Sequence, residues 1–387
     1  MKMKALGQSV ENQIKGDIPK IEGIIFYVLS WGFRESTDQL HTDKMKTHPL
    51  TLLIVILAAL PFSSQGQLNL IKLNEDSIFS RPVFENYKAP CLVETGPNEL
   101  MLSFCGSSSQ KSKQTAIWLM KYSGKRWSRP FRIAEGSSSD SIRYICSNPV
   151  MFRCGSGKMF LFYKVSSDEK NCWGMLRTSD RKGKKWFEAA RLPEGVSGPF
   201  AGKPSQLKDG TIMYPLVREL PNKKWGIFIE KTCDQGKTWS NSCIDSTCAF
   251  PVVQSNILCY NPDKIQMICR GGENYNLQCR SDDNGSTWMR ADTNHLPGPY
   301  SEADIITLHS GWQLMAYCKD GQLKLASSRD GLKWQEVAEL ECSNPCKAGF
   351  PSLLQTQDGN IHVTFTNDQR NIKHIVFQER RTEIAAL

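Results

Sequence analysis

The chain has 387 residues, 40% hydrophobic and 10% aromatic, which suits one large packed all-β domain, with nothing that argues for a second. Its formal charge is +9, and residues 67–387 carry 41 Lys/Arg against 33 Asp/Glu, an excess that favours anionic partners such as acidic glycans. No zinc-finger spacing or RNA-binding motif accompanies that charge, so nucleic acid is not the expected partner, and no Cys-x-x-Cys pair or matched His spacing implies a metal or other cofactor.

In chain order, residues 1–44 read as an extension without a structural role, with translation expected to begin at Met45. Met45-Lys46-Thr47-His48 leads into the apolar run Leu50 to Leu60, and the small residues Ser64 and Gly66 suit cleavage before Gln67. Residues 45–66 therefore read as a signal peptide. The apolar run falls short of the roughly 20 residues that span a membrane, so a secreted product is expected rather than an anchored one. All 14 cysteines lie after residue 90, and an even count in an exported chain predicts disulfides. Local candidates are Cys342 with Cys346, Cys243 with Cys248, and Cys269 with Cys279. Their connectivity stays open, and residues 381–387 read as a tail.

Between residues 67 and 380 one turn recurs. Thr232-Cys233-Asp234-Gln235-Gly236-Lys237-Thr238-Trp239 and Ser281-Asp282-Asp283-Asn284-Gly285-Ser286-Thr287-Trp288 both read Ser/Thr-x-Asp-x-Gly-x-Thr-Trp. Weaker copies run from Ser179 to Trp186, with Arg181 in place of the Asp, and from Ser328 to Trp334, one residue short. A faint turn from Ser123 to Trp127 begins the series. In such a turn the Asp and Ser/Thr side chains accept backbone N–H bonds, Gly takes a positive φ and Trp packs between sheets. A period near 50 residues with one such turn per repeat predicts a β-propeller, in which each small sheet buries its faces against its neighbours.

Inner strands are expected to begin near Ala89, Asn148, Lys203, Gln254, Ala303 and Phe350, giving six blades of four antiparallel strands. Second strands follow at 100–105, 159–165, 211–217, 265–270, 313–319 and 361–366, read as half-buried from their alternation. The last repeat is short of a strand, so 68–73 is expected to close the ring. Starts of inner strands and ends of second strands share one mouth, because the two run antiparallel. That mouth collects Lys88, Asn148, Lys203, Gln254 and Asp304 with Lys164, Arg218, Glu219, Arg270, Lys319 and Arg370, a set rich in cations that suits a carboxylate ligand.

The repeated turn is the Asp box, and longer segments strengthen the likeness. Ala116-Ile117-Trp118-Leu119, Asn148-Pro149-Val150-Met151-Phe152, Leu161-Phe162-Tyr163-Lys164-Val165, Trp173 to Asp180, Lys203-Pro204 and Ile361-His362-Val363-Thr364 resemble sialidase-like proteins of the BNR-repeat type. The resemblance runs from about residue 84 to 378. It implies a sialidase-like six-bladed propeller. It also implies an Arg triad for a substrate carboxylate, an acidic acid/base, and a Tyr with a Glu partner as nucleophile. On that pattern Arg270 and Arg370, with Lys203, Lys164, Asn148, Gln254 and Arg218, are the expected substrate-binding residues. Asp304 or Glu219 is the expected acid/base, and Tyr300 with Glu302 the expected nucleophilic pair. The chain departs from these relatives at Lys88, Gly202, Gln254-Ser255-Asn256 and Pro299-Tyr300-Ser301-Glu302, all at the mouth.

Three functions follow as expectations. The first is a secreted exo-glycosidase removing terminal sialic acid or another acidic sugar from glycans or glycoconjugates. The second is a glycan-binding propeller without turnover, which the changed mouth positions favour. The third is a lyase on uronate-containing polysaccharide, weakened because His295 and His309 are placed away from the mouth. No oligomeric state follows from the sequence.

Overall fold

A computed structural model describes residues 67–107, 115–139, 142–168, 171–199, 202–220, 225–245, 252–261, 264–271, 276–291, 301–340 and 348–380. Residues 1–66 and 381–387, with the expected extension, signal peptide and tail, and Tyr300, Cys248, Cys342 and Cys346 lie outside them.

The described residues form six antiparallel sheets arranged as propeller blades. Blade one is β2 (Asn86–Gly96), β3 (Glu99–Ser107), β4 (Thr115–Tyr122) and β5 (Phe131–Ala134). Blade two is β7 (Ile142–Arg153), β8 (Met159–Ser166), β9 (Cys172–Thr178) and β10 (Ala190–Arg191), extended by β6 (Gly136–Ser139) on the inner strand. Blade three is β11 (Ser205–Gln206), β12 (Ile212–Glu219), β13 (Trp225–Thr232) and β14 (Ser240–Asp245). Blade four is β15 (Val252–Asn261), β16 (Lys264–Gly271), β17 (Asn276–Ser281) and β18 (Met289–Ala291). Blade five is β19 (Ala303–Thr307), β20 (Gln313–Lys319), β21 (Gln322–Ser328) and β22 (Gln335–Leu340). Blade six is β23 (Gly349–Gln355), β24 (Ile361–Asn367) and β25 (Asn371–Glu379), completed by β1 (Leu70–Ser77) from the other end of the domain. Leu70 pairs with Glu379 and Ser77 with Lys373, so the two ends close the ring as expected.

The second strands are not half-buried. Met159 to Tyr163 of β8, Ile212 to Leu216 of β12 and Gln313 to Cys318 of β20 are buried at every position, because each blade is covered on both faces by its neighbours. A strand buried on both faces reads as a near-continuous apolar run. The core is accordingly a set of inter-blade layers, the largest of which joins blades one, two and three.

The Asp boxes form as the sequence implies. Asp234 Oδ1 accepts the backbone N–H groups of Lys237 (3.0 Å) and Thr238 (2.8 Å), while the Thr238 hydroxyl donates to Oδ2 at 2.6 Å. Asp283 makes the same bonds with Ser286 and Thr287. Trp239 and Trp288 donate their indole N–H groups to the box carbonyls of Gly236 and Gly285. In blade two the carboxylate has moved one residue back: Asp180 Oδ1 accepts Lys184 N–H at 2.8 Å, and Arg181 lies within the turn that Gly183 N–H closes on the Asp180 carbonyl at 3.2 Å. Each box also locks onto the preceding blade. A β-carbon at Gly285, whose φ is +75°, would stand 2.8 Å from Met213 of blade three, and Lys231 of that blade donates to the Gly285 carbonyl at 2.9 Å.

Among the described residues no disulfide is formed. Cys269 and Cys279 sit on adjacent strands but out of register, opposite Leu277 and Met267 respectively.

Candidate functional site

Three inner strands carry the same device. Ala89, Asn148 and Phe350 each precede a proline, take φ near +50° (49°, 52° and 52°), and sit at register shifts between Lys88 and Cys91, Ser147 and Val150, and Gly349 and Ser352. Proline lacks the N–H that a ladder needs, so the strand bulges there and turns its first residues toward the axis. Lys203-Pro204 occupies the equivalent point in blade three, and blade four has a shift between Val252 and Gln254.

The bulges surround a cavity of about 200 Å³ at the mouth. Of the expected site residues, Asn148, Lys203, Gln254, Arg270, Glu302 and Asp304 line it together. Arg270 lies directly across the ladder from Gln254, whose amide donates to the Ala303 carbonyl at 2.8 Å. Lys164, Arg218, Glu219 and Arg370 do not line it. Arg218 donates to the Gly195 carbonyl at 2.9 Å and stacks 4.2 Å above the Phe228 ring. Arg370 is 71% exposed on the turn between β24 and β25, 3.7 Å from Asp368. Glu219 is exposed at the end of β12. Lys164 lies across from Ser147 and Gly174 at the end of β8.

Asp304 and Lys203 form a buried ion pair at 2.8 Å. Asp304 Oδ2 also accepts Leu353 N–H at 2.8 Å, Oδ1 accepts the N–H of Ile305 at 3.0 Å, and Lys203 donates to the Leu353 carbonyl. Blades three, five and six are thereby tied at the axis. Burial works against the Lys203 charge, but the Asp304 carboxylate outweighs it and holds the ammonium above the ordinary lysine range. Lys203 also borders a second, larger space of about 540 Å³ lined by the far halves of the inner strands, where Glu94, Arg153 and His309 lie.

Glu302 behaves differently. Its Oε2 accepts the Phe350 N–H, yet burial dominates and raises its proton affinity above the ordinary glutamate value, against the opposing fields of Arg270 and Lys88. A carboxyl whose proton affinity is raised, in one cavity with a cation, is a candidate proton donor.

Two site features carry no sequence signal. Cys91 lines the cavity with its thiol accepting Met151 N–H at 3.3 Å, and burial raises its pKa. Phe350 forms part of the wall and fixes Glu302 through its backbone. Two Tyr–Glu pairs form among the described residues, Tyr214 with Glu230 at 2.6 Å and Tyr317 with Glu336 at 3.1 Å, and neither lines the cavity. Glu230 is fully buried and also accepts the N–H groups of Ser197 and Gly198, so it anchors a loop between blades two and three.

The six-bladed ring, the Asp boxes and the mouth cavity define a sialidase-like propeller. Residues 98–363 match the BNR repeat-like domain, and the chain belongs to that family. Among solved structures it is similar to a protein of unknown function from Dyadobacter fermentans, at 13% identity and TM-score 0.67, covering 81% of this chain and 100% of that one. A Hadza microbial sialidase is similar at 15% identity and TM-score 0.64, covering 77% of this chain and 66% of that one. Trypanosoma rangeli sialidase in complex with sialic acid is similar at 14% identity and TM-score 0.60, covering 80% and 58%. The chain thus spans less than two thirds of the two sialidases, and at these identities the likeness shows the fold. No curated protein matches the chain.

Proposed function

We propose that the protein is secreted and acts at the mouth cavity as an exo-glycosidase that removes a terminal sialic acid or another acidic sugar from glycans. The observation that carries this reading is the Glu302 carboxyl, whose proton affinity burial raises, in one cavity with Arg270. Arg270 holds the sugar carboxylate, Asn148 and Gln254 bond its hydroxyls, and Glu302 protonates the leaving oxygen. Glu302 takes the acid role in preference to Asp304, because the Asp304 oxygens are engaged by Lys203, Leu353 and Ile305. Tyr300 is the proposed nucleophile: its phenol oxygen bonds the anomeric carbon as the bond to the leaving oxygen breaks, its proton passing to solvent. Water then attacks that carbon, with the Glu302 carboxylate taking the water's proton, to release the sugar and a phenolate that regains its proton from solvent. The sialic acid complex of the Trypanosoma rangeli sialidase supports an acidic sugar as the ligand of this fold.

A second reading, a glycan-binding propeller without turnover, is favoured by the same ion pair. Glu302 and Asp304 are the acids lining the cavity among the described residues, and one of them is structural. A panel of fluorogenic sialosides and uronides separates the two. Turnover in the panel with KM raised by Arg270→Ala, together with loss in Glu302→Gln of turnover of a sialoside with a poor leaving group, read as released sialic acid, supports hydrolysis. Binding of a sialoside without turnover by the wild-type chain overturns it in favour of recognition.

A further inference from the structure

The Asp-box turns connect third strands to fourth strands, so they lie at the end of each blade opposite the mouth. In the blade-two box the residues between Asp180 and Trp186 are Arg181-Lys182-Gly183-Lys184-Lys185. All four cations are exposed, and among the described residues none has a carboxylate within ion-pair distance. Asp180, whose carboxylate accepts Lys184 N–H, offsets part of that charge, so the turn holds four cations against one carboxylate. The adjacent blade-one turn adds Lys125 and Arg126, also exposed.

This charge is not a property of Asp boxes. Blade four carries Asp282, Asp283, Asn284, Ser286 and Thr287 at the corresponding positions. In blade two, Arg181 stands where the box Asp belongs and Lys185 where the box Thr belongs. That Thr supplies a 2.6 Å hydroxyl bond in each of the boxes of blades three and four. The blade-two turn has given up box hydrogen bonds and gained cations.

We infer that the turn 181–185, with Lys125 and Arg126 at the same end of the neighbouring blade, is a docking surface for a sulfated polysaccharide, separate from the mouth. The surface consists of turn tips, which project. It offers no helix or ribbon for a duplex groove and no open row of aromatic faces for unstacked bases: Trp127 and Trp186 are packed against the core, and the exposed Phe187 ring stands alone with Lys185 Nζ 5.6 Å from its centroid. A flexible sulfated chain needs only a line of exposed cations to bridge its anionic groups.

The test is binding of the full-length chain to a heparin octasaccharide over a range of salt concentrations. Replacing Arg181, Lys182, Lys184 and Lys185 together by Gln is expected to weaken binding about tenfold or more and to flatten its salt dependence, by the counterion-release argument. A charge-keeping variant, Lys182→Arg with Lys184→Arg and Lys185→Arg, is expected to bind as wild type. Lys208→Gln with Lys264→Gln, exposed on blades three and four, and Arg270→Ala at the mouth are expected to leave binding intact. The proposal is overturned if the fourfold variant binds normally or if either control loses as much. It is equally overturned if single-stranded DNA of matched charge binds the turn more tightly than the octasaccharide.

Discussion

Lys203 Nζ and Asp304 Oδ2 meet at 2.8 Å on the propeller axis, with the smaller cavity on one side of Lys203 and the larger on the other. Asp304 is 6% exposed and Lys203 20%, so each carries a charge that its partner must balance. Removing one member is expected to cost about 3–5 kcal/mol, whereas replacing both by apolar residues of similar volume costs far less. Urea unfolding of Asp304→Ala, Lys203→Met and the Lys203→Met/Asp304→Leu pair checks this. Equal losses in all three would argue against a buried pair.

Glu302 sets a pH limit on the proposed chemistry. Its folded-state proton affinity lies above that of an ordinary glutamate, so the acid form is populated at higher pH than usual. Activity that needs that proton falls as pH rises through the raised value, and Glu302→Gln should abolish turnover of a poor leaving group while leaving sialoside affinity within a few-fold. The same shift makes the fold lose stability as pH climbs from the unfolded value of 4.5 through the raised one, because the charge must then be held in a buried place.

His362 and His374 make the seam between blades six and one sensitive to acid. Their rings stack at 5.2 Å, with His362 Nδ1 and His374 Nε2 3.0 Å apart, and His374 packs edge-on against Tyr122 and Trp127. His362 also meets the hydroxyl of Thr356, which donates to Asp358. Burial lowers the pKa of His362 to about 4 and of His374 to about 3. Between pH 6.5 and about 4 the unfolded chain takes up protons that the folded one refuses, so stability drops as pH falls, by an amount on the order of a few kcal/mol. Unfolding midpoints at pH 7 and pH 5 should differ in wild type, and the difference should shrink in His362→Gln/His374→Gln.

Gly285→Val tests the inter-blade lock. The residue would have to hold φ near +75° and push its β-carbon to 2.8 Å from Met213. A loss of about 1–3 kcal/mol is expected, read by thermal unfolding, with Met213→Ala in the same chain restoring part of it.

Much of this architecture was legible in the sequence. The two full Asp boxes and five of the six inner-strand starts lie close to where the repeat places them, because each rests on local turn chemistry or on a periodic apolar run, while the inner strand of blade two begins at Ile142, six residues before Asn148, and the closing strand runs Leu70–Ser77 rather than 68–73. The mouth was legible as a position, not as a set of partners. Strand ends show that Arg218 and Arg370 lie near the rim, but not that Arg218 is taken by Gly195 and Phe228 or that Arg370 rests in its own turn. Asp304 looked like a free acid because its partners, Lys203 and Leu353, come from other blades. Asp180 escaped notice since its box had slipped by one residue.

The closing strand has one more consequence. Arg380 N–H reaches the Asn69 carbonyl at 2.9 Å, so the two boundaries of the domain are neighbours. A chain emerging from the ribosome holds β1 without its partner until β25 has been made, and the ring forms last. Joining Asn69 to Arg380 through a short linker and opening the chain at an exposed turn would move that final event elsewhere. The order of assembly is thus a property of where the chain is cut, separable from the architecture it reaches.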